Sequence, residues 1–121
     1  MHSAAKAYGA VAQQIASPRN LEAQLLLRAA SRLQNVHDHW ENERASLDHA
    51  LLYNRKLWSV FLSSATNKDN PLPRELRQNI ANIGIFVMSQ TVNVMGDPQP
   101  ERLRSLININ RQLAAGLSGH A

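Results

Sequence analysis

The chain has no cysteine, which removes two classes of protein at once. Without thiols there is neither a disulfide scaffold nor a thiolate zinc module. Glycine is almost as scarce, and residues 10 to 83 contain none. Hairpin turns lean on Asn-Gly, Asp-Gly or Gly-X pairs, so that stretch leaves little room for strands. The five prolines fall at only three places: Pro18, Pro71 with Pro73, and Pro98 with Pro100. No window approaches the roughly 18 apolar residues of a membrane helix. The residues up to Ser17 lack the apolar core of a secretory signal. No membrane insertion is therefore expected, and the expected compartment is the cytoplasm, which the absence of cysteine fits. Charge is mixed, with 13 Lys and Arg against nine Asp and Glu, a net +4. The basic residues occur in ones and twos with acids between them, as on a solvated surface with a mild basic bias.

What the chain does have is helix-forming composition. Leu and Ala number 16 each, against 14 for Val, Ile and Thr together. Unbranched helix formers dominate, and 44% hydrophobic content over 121 residues is enough for one folded domain. An all-α single domain is expected, a small bundle of four to five helices spanning residues 1–121.

Periodicity divides the chain into five segments. The first, residues 1–16, is Ala-rich, weakly amphipathic and expected to be weakly held, with Tyr8, Val11 and Ile15 on one face. Ser17-Pro18 is a helix-start signal. The stripe that follows reads Leu21, Leu25, Ala29, Leu33, Val36, Trp40. A third segment reads Leu47, Leu51, Trp58, Phe61, Ala65, widened by Leu57 and Leu62. The two stripes run in phase, but one helix of that length is unusual in a small domain, so a break is expected within His37–Ser46. The polar run Asn67–Pro71 is a loop. Residues 71–117 then form a C-terminal helical pair. One helix opens at Pro73, carries Leu76, Ile80, Ile83, Val87, Gln90 or Thr91, and Val94, and stops at Gly96. The other starts near Pro98 or Pro100 and carries Leu103, Leu106, Ile107, Asn110, Leu113 and Leu117. The Pro73–Gly96 helix is broader in its apolar surface than one buried face needs, because Ile83, Ile85, Phe86, Val87 and Met88 cover over half its circumference. Either the bundle buries it on several sides, or part of it receives a helix from another chain.

Little here suggests chemistry. His37, Asp38 and His39, near Glu41, Glu43 and His49, are the one concentration of metal-capable groups, but His37 and His39 point apart on a helix and no third ligand converges. No nucleophile elbow, phosphate-cradling loop or carboxylate pair in an apolar setting is present, so no enzyme activity and no cofactor are expected. Arg55-Lys56 beside Trp58 suggests some affinity for nucleic acid, without a motif for specific readout. Asn54 lies one turn before Trp58 on the same face. Trp58 is then either a core residue with Asn54 bonded inside the bundle, or an anchor at a partner interface.

Asn54-Arg55-Lys56-Leu57-Trp58 resembles the Asn-Arg-x-Leu-Trp signature of the flagellar biosynthesis regulator FlaF family of alphaproteobacteria. Leu72-Pro73-x-x-Leu76-Arg77-x-x-Ile80, Gly84-Ile85-Phe86-Val87 and Leu106-Ile107-x-Ile109-Asn110-Arg111 resemble three further stretches of that family. The resemblance implies a noncatalytic flagellum-assembly factor. It implies binding to flagellin as a secretion chaperone, through the amphipathic terminal helices of the unassembled subunit, before export through the flagellar type III apparatus. The other activity it implies is control of flagellin synthesis, acting with the regulator FlbT or on messenger RNA through Arg55, Lys56, Arg74 and Arg77. Trp58, Leu62, Ile83, Phe86, Ile107 and Arg55 are the candidate partner-binding residues, and sequence does not divide the apolar ones between core and groove.

Overall fold

The computed structural model describes residues 18–119, all helix, turn and loop. The expected N-terminal helix lies outside the described residues. Four long helices are present among them: α1 Pro18–Asp38, α2 Leu47–Ala65, α3 Arg74–Gly96 and α4 Arg104–Leu117. A single helical turn, Trp40–Glu43, and a 3-10 turn, Arg44–Ser46, join α1 to α2. Another 3-10 turn, Pro100–Leu103, leads into α4.

The break falls inside the expected window. His39 leaves the helical region at φ −122° and ψ 43°. Its ring Nδ1 lies 3.1 Å from the Asn35 carbonyl, which also accepts the His39 backbone N–H at 3.0 Å, so side chain and backbone of His39 share one acceptor at the end of α1. The Ser46 hydroxyl donates to Glu43 Oε2 at 3.1 Å and steadies the turn into α2. At the other end of α2, Asn67 and Asn70 build the α2–α3 loop with side-chain carbonyls that accept from the Asp69 and Leu72 amides, both at 2.9 Å. Helix α3 starts directly after Pro73 and ends at Gly96, where Asp97 turns extended as a residue before proline favours.

Glu22 of α1 shares a small pocket with Phe61 and Ala65 of α2 and with Leu113 and Leu117 of α4. Helix α1 therefore runs antiparallel to both neighbours. It packs most extensively against α4, while α3 packs along the other side of α2. The two C-terminal helices, although consecutive, do not form a closely packed pair: α3 rides on α2, and α4 rides on α1.

The core draws on Leu26, Leu33, Val36, Leu51, Trp58, Val87, Val94, Leu103 and Leu106, all fully enclosed. In α2 the expected stripe is the buried one, Leu47 to Ala65. In α1 the stripe holds at Ala29, Leu33 and Val36 but is displaced in its first two turns. Leu21 is exposed and Leu25 half-buried, while Ala23, Leu26 and Ala30 face inward. Small alanines there permit the close approach of α4. In α3, Thr91 rather than Gln90 is buried, and Leu76 is exposed. Thr91 satisfies its own hydroxyl by donating to the Val87 carbonyl at 2.7 Å.

One polar chain crosses the core. The Trp58 indole donates to Asn110 Oδ1 at 2.9 Å, and Asn110 Nδ2 donates to Asn54 Oδ1 at 2.6 Å. An indole can only donate, so it fixes the orientation of the Asn110 amide, which in turn fixes Asn54. Asn54 Nδ2 is buried with no partner among the described residues.

Candidate functional site

Helix α3 carries two apolar stripes, each spaced 4-3-4-3 and offset from one another by one residue. The first, Ile80, Gly84, Val87, Thr91 and Val94, is buried. The second is Ala81, Ile85, Met88, Val92 and Met95. Ala81 and Met88 are half-buried, whereas Ile85, Val92 and Met95 are 65%, 68% and 55% exposed. A 4-3 repeat of apolar residues is the pattern by which one helix receives another, because it keeps a seam facing the partner. Here the seam faces solvent.

Helix α2 supplies the opposite wall. Leu52, 44% exposed, stands beside the second stripe. Leu51, Leu52, Asp48 and Arg55 of α2 and Thr91 and Met95 of α3 line a cavity of about 260 Å³ that opens to the surface. Further along the α2–α3 contact, Leu62 packs directly over Gly84. A Cβ built on Gly84 would lie 2.5 Å from Leu62 Cδ2 and 2.7 Å from its Cγ. Glycine at this position therefore lets α2 and α3 close on each other, and that approach sets the groove's width. The outcome is an exposed apolar face along α3 with one cavity beside its C-terminal end, whose charged lining residues, Asp48 and Arg55, come from α2.

The six residues nominated from sequence scatter. Trp58 and Ile107 lie in the core, with essentially no surface to offer. Leu62 is half-buried and joins α2 to α3 through Gly84. Ile83 is half-buried against the core, and Phe86 is half-exposed on the flank of α3 that turns away from the second stripe. Arg55 alone lines the cavity. Leu52, Val92 and Met95 were not among the residues nominated from sequence. The second 4-3-4-3 register in α3, hidden by its one-residue offset from the first, signals Val92 and Met95, whereas Leu52 lies in α2 and carries no such mark.

The basic residues do not form one surface. Arg55 faces the groove, and Arg74 and Arg77 stand at the far end by the α2–α3 loop, where Arg77 Nη1 donates to the Asn67 carbonyl at 3.1 Å. His37 and Asp38 pair at 2.9 Å at the end of α1, and the bonds from His37 and then Gln34 hold the Asp38 carboxyl below its usual range. Among the described residues, no three His, Asp or Glu side chains converge as a metal site requires. Nor is any helix among them long and apolar enough to cross a membrane.

No curated protein and no solved structure matches the chain. A family model described as flagellar protein FlaF matches residues 4–117, which takes in every motif quoted above, the groove and the core. By that match over nearly its whole length, the chain belongs to the FlaF family of flagellar proteins.

Proposed function

We propose that this protein is a flagellin chaperone that receives one amphipathic terminal helix of the unassembled subunit in the α2–α3 groove. The observation that carries this reading is the exposed set Ile85, Val92 and Met95, joined by half-buried Met88, beside the Leu52 cavity. From Ala81 to Met95 the stripe runs about 21 Å at helical rise, long enough for four turns of a client helix. The cavity accepts one large apolar side chain as an anchor, and the rest of the client's stripe lies along α3. Covering those helices before export keeps flagellin subunits from pairing with each other. Holding the synthesis of flagellin to the rate of its export follows if the same groove also meets a regulatory partner such as FlbT. Direct contact with messenger RNA has weaker support, since Arg55, Arg74 and Arg77 do not share a face.

Co-expression with flagellin followed by size-exclusion chromatography tests the reading. A one-to-one complex is expected. Val92→Asp and Leu52→Asp should each weaken it by at least about tenfold, because a carboxylate cannot be desolvated in an apolar seam without a partner. Both sites are exposed, so the unfolding midpoint should barely move. A complex that survives both substitutions in folded protein refutes the groove, and the absence of any complex refutes the chaperone.

A further inference from the structure

The α2 rim of the groove is self-complementary. Asp48 and Arg55 stand on the same flank of α2, seven residues and two helical turns apart, with Leu52 between them. Both are exposed, and neither pairs with another charged side chain among the described residues. A helix lying against this flank meets an acid at one end and a base at the other. The chain's own α2 presents the matching order when it is turned end for end. Two copies related by a two-fold axis beside Leu52 place Asp48 of each against Arg55 of the other, and both Leu52 side chains at the centre. Such an isologous contact makes every favourable pair twice. It also covers Val92 and Met95 of both copies, which otherwise leave a contiguous apolar patch in water.

We propose that, when no client helix fills the groove, a second copy of this chain closes it in a two-fold dimer built on Asp48, Leu52 and Arg55. The proposal shares the groove with the chaperone reading, and it does not depend on flagellin being the client. Client and second copy compete for one surface, so the free protein is a self-capped reserve that opens as client appears.

Sedimentation velocity of the purified full chain, without flagellin, tests it from low to high micromolar concentration. A monomer–dimer equilibrium is expected. Asp48→Arg and Arg55→Asp should each weaken the dimer about tenfold, since each sets like charges against one another at two places. The double variant, Asp48→Arg with Arg55→Asp, restores both pairs with signs exchanged and should return to within about threefold of the parent. Circular dichroism confirms the fold of each variant. A monomer at every concentration overturns the proposal, as does a double variant no better than the singles. Adding flagellin should dissolve the dimer as the one-to-one complex forms, and a dimer persisting inside that complex also overturns it. A dimer rescued by the charge exchange, in protein that never captures flagellin, supports the dimer while refuting the chaperone reading.

Discussion

Asn54 and Asn110 look alike in sequence and burial, yet their removal should have very different effects on stability. Replacing Asn110 with Leu takes the acceptor from the Trp58 indole and the donor from Asn54 Oδ1. Two polar groups become newly orphaned in the core. Replacing Asn54 with Leu orphans only Asn110 Nδ2, and it removes Asn54 Nδ2, which is already unpaired. The count of buried unpaired groups then does not change. At about 1–3 kcal/mol for each such group, Asn110→Leu should cost about 2–6 kcal/mol more than Asn54→Leu. In a domain of this size that corresponds to a gap of roughly 8–24 °C in Tm. The double variant leaves only the indole unpaired and should be more stable than Asn110→Leu alone. Urea unfolding followed by far-ultraviolet circular dichroism measures all three. If Asn54→Leu is as destabilising as Asn110→Leu, Asn54 Nδ2 has a partner and the reasoning fails.

Three further substitutions probe other parts of the structure. Gly84→Ala sets about 1 kcal/mol of gained helix propensity against a collision with Leu62 costing about 1–3 kcal/mol, so it should destabilise the parent. In a Leu62→Ala background the collision is gone and the same substitution should stabilise, which urea midpoints read directly. Burial raises the Glu22 carboxyl above its usual range, with Arg19 pulling the other way. Its folded-state pKa is raised, so its favourable contribution is full below the ordinary carboxylate range and is lost as pH rises through the folded value. Glu22→Gln should therefore raise Tm slightly at pH 7, and the gain should vanish below the ordinary carboxylate range, as thermal melts across pH will show. Trp58→Phe keeps the ring but loses the bond to Asn110, and should cost about 1–3 kcal/mol in urea unfolding without weakening flagellin capture.

The legibility of the fold varied from helix to helix. In α2, aromatic and large aliphatic residues recur at one register, and their spacing alone identifies the buried face. In α1, Leu25, Leu26 and Leu27 are consecutive, so hydrophobicity does not say which of them turns inward. The choice of Leu26 follows from Ala23 and Ala30, which lie on the same face and admit α4 closely. Leu21 loses its place for the same reason. The break near His39 was visible as a crowd of polar residues, because such residues cap and turn chain more readily than they continue a stripe.

The candidate groove was only partly legible. Excess apolar surface on α3 pointed to a helix that borders the candidate groove, but the residues nominated on it, Ile83 and Phe86, lie on other flanks than Val92 and Met95. Periodicity reports that a face is apolar, not which face the neighbouring helix covers. Arg55 was found because it adjoins Trp58 in a motif, while Leu52, three residues earlier, carried no mark.

By itself the sequence determined a cysteine-free, all-helical chain, its helix limits at the proline sites, and the family to which its motifs belong. These follow from local chemistry: propensity, caps, and the restrictions that proline places on its neighbours. The spacing of α3 already placed Ile80, Val87 and Val94 on one stripe, but only tertiary structure decided that Gly84 and Thr91 join them inside while Ile85 and Val92 stay outside. By hydrophobicity, Ile85 and Val92 have a better claim to the core than Gly84 and Thr91. The core took Gly84 because Leu62 needs the space a side chain would fill, and took Thr91 because the helix itself satisfies its hydroxyl. Packing of α2 against the smaller stripe left the more apolar one facing outward, and that choice made the groove.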